Sequence, residues 1–384
     1  MNTLEKLRIL AADSQYDLAC SCGSSDSDRR KRSKDGASWL YPVPMASGGT
    51  GIMYKTLVSN VCSSDCRYCP LRHTADTPRC SMSPDEIADS FLEHLRHRWL
   101  IGLFLSSGVQ GTPDRTMERL IAGAEILRKK HNYRGYIHLK IIPGAGTAAI
   151  DAALRVASAV SLNIEVPGKR HFEKLSTYKN FDRDIVRPLR YISEQTGKGS
   201  PHSRIRTTTQ FIVGASDETD GEIIKYLDAV YNRLRFGRAY FSAYQSGLGD
   251  PAISGEMLAL ESRDDKEKTQ DLRKARLMRE HRLYQADFLL RRYGFAAGEL
   301  VFDKSGNFDL TEDPKLAWAR LHSEHFPVSL KKATREELLR VPGLGPTYVE
   351  RILKCRREGS ITSLSAIGLR GKNAEKASRF CILE

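Results

Sequence analysis

The chain has 384 residues, 40% of them apolar, enough for one large α/β barrel or for two to three domains. A mean hydropathy of −0.43, no apolar run near ~18 residues, and a charged start (MNTLEKLRILAADSQYD) without an apolar core or cleavage site speak against membrane and secreted classes, so a cytoplasmic protein is expected. The net charge of +13 favours a polyanionic partner.

In chain order, LEKLRILAADSQYD reads as a helix. Residues 22–50 read as a flexible loop, because GSSDSDRRKRSKDG has almost no apolar side chains. Strands are predicted over 54–61, 100–107, 135–142, 159–166, 206–214 and 237–244, all apolar and β-branched like buried parallel strands. Helices are predicted near 84–98, 114–131, 147–156, 182–195 and 218–234. The first starts at Ser83-Pro84-Asp85-Glu86, a cap followed by proline and by acids that suit the helix dipole. Six βα units predict an α/β fold, a partial (β/α)6 barrel like part of a TIM barrel, with a doubly wound sheet as the competing topology. The expected domains are 1–50 (helix and loop), 51–245 (barrel), 246–328 (helical extension, with a charged helix over 263–293) and 329–384 (a small all-α unit).

Eight cysteines occur, at 20, 22, 62, 66, 69, 80, 355 and 381. In a reducing compartment clustered thiols bind metal or do chemistry more often than they form disulfides. Cys62, Cys66 and Cys69 form a CxxxCxxC directly after the first predicted barrel strand. Thiolates suit iron–sulfur clusters. Three of them can hold three irons of a [4Fe–4S] cube and leave the fourth open for the amino and carboxylate groups of S-adenosyl-L-methionine. A structural zinc site is the competing reading; it wants a fourth ligand, and Cys80 or His73 could supply one. Tyr68 is placed to shield a cluster or touch an adenine.

Residues 338–353, LLRVPGLGPTYVERIL, have the form of a helix-hairpin-helix. Gly343 and Gly345 permit a tight turn. With Leu344 and Thr347 they would present free N–H groups to phosphate oxygens, and Lys354, Arg356 and Arg357 would add charge. A weaker copy carries Gly368, Arg370, Gly371 and Lys372. Residues 329–384 hold twelve Lys/Arg against six Asp/Glu, a net of +6. Such paired hairpins suit sequence-independent gripping of DNA; a helical hairpin used only for packing is the plainer alternative.

CxxxCxxC after a first strand, in a chain of βα units, resembles the radical S-adenosylmethionine superfamily over about 50–245. The resemblance implies a [4Fe–4S] cluster on Cys62, Cys66 and Cys69 and a 5′-deoxyadenosyl radical as the reactive species. It also implies S-adenosylmethionine contacts. Ser106, Ser107 and Gly108 stand where the superfamily has a Gly-Gly-Glu-like stretch, without the acid. Lys140 would meet the carboxylate, and Asn163 and Glu165 the ribose hydroxyls. Gln210, Ile212, Gly214 and Asp217 match the spacing of the GxIxGxxE adenine motif.

Stretches through most of the chain, among them GLFLSSGVQ (102–110), GYIHLKIIPGA (135–145), TQFIVGASDETD (209–220), REHRLYQADFLLRRYGF (279–295) and LLRVPGLG (338–345), resemble one group within it, the DNA modification/repair radical S-adenosylmethionine proteins. That resemblance implies DNA as partner, a uracil-DNA-glycosylase-like protein as a further one, and a reducing electron donor. The alternatives are a radical enzyme acting on RNA or protein, and a non-enzymatic DNA-binding protein with a structural cluster. No acid/base residue is singled out, and roles for Cys20, Cys22 and Cys80 stay open.

Overall fold

The structure is a computed structural model that describes residues 1–17, 38–45, 48–359 and 361–384. Most of the predicted loop 22–50, with Cys20 and Cys22, lies outside the described residues. By contact the chain divides into two compact units, 1–218 with 229–277, and 219–228 with 278–384. Among the described residues no helix is long and apolar enough to cross a membrane.

The first unit is built on a curled seven-stranded sheet whose strands lie side by side in chain order. They are β1 (Leu40–Pro44), β2 (Thr50–Leu57), β3 (Gly102–Ser106), β4 (Tyr136–Lys140), β5 (Ala159–Ser161), β6 (Arg206–Val213) and β7 (Arg238–Ala243). Strands β2 to β7 are parallel; α1 (Thr3–Asp13) precedes the sheet, α2 (Pro84–His97), α3 (Pro113–Glu125), α4 (Thr147–Val156), α5 (Lys169–Leu175), α6 (Arg187–Thr196) and α7 (Asp220–Asn232) lie in the crossovers, and α8 (Ser254–Glu261) follows β7. The result is an α/β partial barrel, with the doubly wound order ruled out by the unbroken sequence of neighbours.

The strands alternate. Tyr54, Leu103, Ile137 and Leu139 are buried in the apolar core, while Lys55, Phe104, His138 and Lys140 line a cavity on the concave face. Capping sets the helix starts: Ser83 and Glu86 form a reciprocal capping box at α2, and Thr112 caps α3.

Two differences from the sequence reading matter for the site. Residues 40–44 are not loop but β1, antiparallel to β2 in the register Tyr41↔Met53. Pro42 and Pro44 hid it, since proline weakens a strand pattern, yet an edge strand tolerates proline because its outward N–H groups need no partner. The fourth barrel strand, expected over 159–166, stops at Ser161. Beyond it Glu165 sits at φ +67°, a left-handed conformation that breaks strand geometry, held by Glu165 N–H to Gln210 O at 3.0 Å and Ile212 N–H to Glu165 O at 2.7 Å.

The second unit is mainly helical: the end of α9 (Lys266–Arg292), then α10 (Pro314–Leu321), α11 (Arg335–Arg340), α12 (Pro346–Arg357) and α13 (Lys372–Ser378). A two-residue parallel ladder, Val328–Ser329 with Cys381–Ile382, ties its chain end; runs so short leave no periodic signal. Leu338, Leu339, Val341, Leu344, Val349 and Ile352 form its core.

Candidate active site

Cys62, Cys66 and Cys69 leave the C-terminal edge of the parallel sheet, the edge where barrel sites collect. The loop is fixed by backbone contacts: Ser63 N–H to Val109 O at 2.8 Å, Arg67 N–H to Leu175 O at 2.8 Å and Cys69 N–H to Cys66 O at 2.8 Å. Arg79 clamps its exit by donating to the carbonyls of Asn60, Leu71, Arg72 and Ala75. Each sulfur receives one donor. Val109 N–H lies 3.4 Å from Cys62 Sγ, Lys179 Nζ 2.9 Å from Cys66 Sγ and Leu71 N–H 3.4 Å from Cys69 Sγ. Burial raises the Cys66 thiol, with the Lys179 ammonium pulling it back. Burial, reinforced by Cys66, pushes Cys69 up to about 12. Burial opposes the charge on Lys179, but Cys66 and Glu165 beside it hold it protonated.

Lys179 is delivered by the residue in front of Cys66. The Asp65 carboxylate accepts from Ser176 Oγ at 2.5 Å, Thr177 N at 2.6 Å, Thr177 Oγ1 at 2.8 Å and Tyr178 N at 3.2 Å. Burial acts upward on Asp65, yet these donors hold it below the usual carboxylate range. Neither Asp65 nor Lys179 carries a sequence signal: one is a spacer inside the motif, and the other lies 110 residues beyond Cys69 in a polar stretch.

Gly108 packs against the loop. A Cβ there would sit 2.6 Å from Val61 O and 3.1 Å from Cys62 Cβ. Ser106 is buried, and Ser107 Oγ donates to Gly108 O at 2.8 Å. Two residues on, the carboxamide oxygen of Gln110 is buried with no hydrogen-bond partner among the described residues. Sequence reasoning passed over this acceptor.

Asn163 and Glu165 are both buried, with Asn163 Nδ2 3.4 Å from Glu165 Oε2. The Tyr68 hydroxyl donates to Glu165, and burial together with that carboxylate raises Tyr68 well above its usual value. Lys140, Asn163 and Gln210 line one cavity. Ile212 is bound through its backbone to Glu165, and Gly214 takes φ +84°. At the end of this motif the sequence reading is corrected. The acid that closes on Gly214 is Glu218, which accepts from Gly214 N at 2.6 Å and Ser216 Oγ at 2.7 Å. Asp217 faces outward and is bound by Lys174 at 2.7 Å, which holds it down at about 2. The turn at Gly214 shifts the inward position by one residue.

Three thiols, each with one hydrogen-bond donor, suit a thiolate-bound cluster, because such donors offset the charge that gathers on sulfur. Among the described residues no three His, Cys, Asp or Glu groups are gathered tightly enough for a single ion; thiolates on different irons of a cube stand farther apart than ligands on one metal. The two residues offered as a fourth zinc ligand are placed elsewhere, Cys80 against Lys6 O at 3.9 Å and His73 against Ser64 O and stacked on Tyr178. The residues present therefore fit the cluster, and the open acceptor on Gln110 fits an ammonium-bearing cosubstrate.

In the second unit, α11 and α12 flank the turn Val341–Gly345. Gly343 has φ +87°, and a Cβ there would lie 2.3 Å from Asn373 O, so the first turn packs directly against α13. Gly345 starts α12 with no side-chain cap, and Thr347 in its first turn is exposed. Gly368 and Gly371 take φ +78° and +63° in the second turn, followed by exposed Arg370 and Lys372. Lys354 is exposed near Glu358. Two tail residues are corrected. The Leu344 N–H is already taken by Val341 O at 3.1 Å, its side chain is core and its carbonyl accepts from Lys315 Nζ at 2.6 Å, while Arg356 turns inward onto the carbonyls of Leu330 and Ala333 at 2.5 Å each.

No protein-family model matches the chain, and no curated protein matches it. Among solved structures it is similar to methylornithine synthase (PylB) at 14% identity and a TM-score of 0.43, over 71% of this chain and 77% of that one. It is similar to the FeFe-hydrogenase maturase HydG from Carboxydothermus hydrogenoformans at 14% identity and 0.44, over 78% and 73%. To SuiB of Streptococcus suis the figures are 11% and 0.38, over 51% and 41%.

Proposed function

We propose that the chain is a radical S-adenosylmethionine enzyme that modifies or repairs a nucleic acid, DNA in the first instance. The observation that carries this is the set of three thiols at the C-terminal edge of a parallel barrel sheet, each sulfur supplied with one hydrogen-bond donor. Bound there, a [4Fe–4S] cluster with S-adenosylmethionine supplies a 5′-deoxyadenosyl radical for hydrogen abstraction from an unactivated carbon.

The chain's own part is positioning. Cys62, Cys66 and Cys69 would hold the irons. Gln110 Oε1 is an open acceptor for the cosubstrate ammonium, Lys140 a cation for its carboxylate, and Asn163 with Glu165 a polar pair for its ribose hydroxyls. The left-handed turn at Glu165 aims that carboxylate back at Tyr68 beside the cysteines.

DNA as the target is supported by the tail: a glycine turn packed against α13 at Gly343, an uncapped start to α12, and exposed Thr347, Lys354, Arg370 and Lys372. Donors and cations so arranged meet phosphates without reading bases. Anaerobic reconstitution followed by S-adenosylmethionine and a strong reductant tests the chemistry. 5′-Deoxyadenosine is expected from the wild type and not from a triple Cys62→Ala, Cys66→Ala, Cys69→Ala variant. Its absence from the wild type would overturn the reading. Charge reversal at Lys354 and Lys372 of the full chain should weaken duplex DNA binding and flatten its salt dependence; unchanged binding would remove DNA as the tail's partner.

A further inference from the structure

The two ends of the barrel differ in charge. At the cysteine end, the stretches that carry the chain from a strand to the next helix are 58–83, 107–112, 141–146, 162–168, 214–219 and 244–253. Together they hold three Lys/Arg against six Asp/Glu. At the other end, the stretches that return from a helix into the next strand are 96–101, 128–135, 155–158, 196–206 and 232–238. They hold thirteen Lys/Arg and no Asp/Glu. Glu93, Glu125, Glu194 and Asp228, in the helix turns just above, still leave that end cationic by nine. Part of this charge is spent within the fold: Arg128 donates to the carbonyls of Val156, Tyr133 and Gly135, and Lys129 pairs with Glu125. Lys130, Arg134, Arg155, Lys198, Arg204 and Arg235 are exposed and pair with no acid among the described residues. Burial lowers Arg128, and like-charge repulsion from Arg134 adds to it. Between Arg128, Lys129, Arg134 and Arg155 lies a groove of about 410 Å³. Trp99, on the same edge, is 69% exposed.

Two plainer causes do not account for this. Cations suit helix C-termini, but five helix ends carry about half a negative charge each, which about three of these cations would meet. Solubility is served by interspersed charge of both signs rather than by one sign alone. We infer that the end of the barrel opposite the cysteines is a docking surface for a nucleic-acid chain, held through its phosphates. Ten of the thirteen cations are arginine, whose planar fork matches phosphate oxygens. They are spread over five stretches of chain, which suits a row of phosphates and not a single small anion. The exposed Trp99 ring offers a stacking face to an unpaired base. Strands such as β3 and β4, five residues each, rise about 3.3 Å per residue and set this surface roughly 17 Å from the cysteine edge. The surface therefore anchors the nucleic acid and does not touch the reacting atoms. The inference adds a second contact surface to the tail, and it rests on the proposed function for nucleic acid as the polyanion.

The test is fluorescence anisotropy of labelled single-stranded and duplex DNA with the full-length protein, between about 50 and 200 mM salt. A first variant, Arg134→Gln with Lys198→Gln, Arg204→Gln and Arg235→Gln, removes four exposed charges that lie beyond helix ends, so the fold should persist; circular dichroism melting checks this. Its affinity should fall at least about tenfold, and the slope of log affinity against log salt should shrink by roughly 3–4. A second variant, Arg8→Gln with Arg115→Gln, Arg263→Gln and Lys266→Gln, lowers the net charge equally outside the five stretches and should stay within about threefold of wild type. Trp99→Ala should weaken the single strand roughly fivefold to a hundredfold and leave the duplex unchanged. That result assigns an unpaired chain, and a duplex loss in the first variant without dependence on Trp99 assigns paired DNA; both support the inference. Wild-type affinity and slope in the first variant, an equal loss in the second, or tighter binding of polyglutamate or of phosphatidylserine vesicles than of DNA overturns it. 5′-Deoxyadenosine release by reconstituted wild type is read separately. Release together with unchanged DNA binding by the first variant removes this inference alone, and weakened binding without release from the wild type removes the proposed reaction alone.

Discussion

The ammonium of Lys179 donates to the sulfur of Cys66 at 2.9 Å. A cation against a ligand sulfur favours the more negative, reduced state of whatever the sulfur binds. A hydrogen bond to a charged group contributes about 1.5–3 kcal/mol, which for one electron is roughly 60–130 mV. Lys179→Met should therefore lower the reduction potential of the reconstituted cluster by that order, while Lys179→Arg keeps most of it. A redox titration followed by electron paramagnetic resonance reads the shift.

Asp65 holds the segment that presents Lys179. Asp65→Ala leaves the Thr177 and Tyr178 amides and two hydroxyls without their acceptor, a local loss of about 1–3 kcal/mol. Hydrogen exchange over 176–179 should speed up, and the cluster potential should move in the same direction as in Lys179→Met. Exchange at wild-type rates would show that the segment is held by other contacts.

Gly108→Ala forces a methyl to 2.6 Å from Val61 O. Overpacking of this kind costs about 1–3 kcal/mol, and here the nearest side chain to move is Cys62 itself. The melting temperature and the iron bound per chain after reconstitution should fall together. Gly298→Ala, where nothing lies within 4 Å, is the control and should change neither.

Glu256 is buried and accepts from the Tyr244 hydroxyl and from the amides of Gly247, Leu248 and Gly249. Burial acts upward on its carboxyl, but these donors hold it below its ordinary 4.5. Its contribution to stability is thus complete above about pH 4.5 and is lost as pH falls through the depressed value. Glu256→Gln should cost about 1–3 kcal/mol at neutral pH, and urea unfolding of variant and wild type should converge on acidification.

In the helical unit, Lys315→Met leaves the Leu344 carbonyl without its donor, again a cost of about 1–3 kcal/mol. Chemical denaturation of the full chain should show the loss. Duplex DNA affinity should drop as well if the Val341–Gly345 turn is what meets the backbone.

Much of the barrel was legible because its outward residues, such as Ile137 and Leu139, are apolar and because caps such as Ser83 mark helix starts. The cysteine loop was legible because its spacing is local. The cavity was not singled out, although Lys55, His138, Lys140, Thr208 and Gln210 recur at every second place in the strands. Strands this apolar read as buried on both faces, whereas one face lines a space. Lys179, Asp65 and Glu218 were missed for a different reason. Their partners are remote in sequence or shifted by a left-handed glycine, and neither relation leaves a periodic trace. Strand β1 was hidden by its prolines.

Those prolines have a consequence of their own. A barrel left open must end somewhere, and its outermost ribbon would otherwise offer a rail of amide protons to any passing extended chain. Because Tyr41 and Val43 pair inward with Met53 and Gly51, the solvent side of that ribbon falls to Pro42 and Pro44, which have no amide proton to give. The sheet can stay unclosed, with its interior reachable, and yet resist recruiting another molecule into an endless ladder.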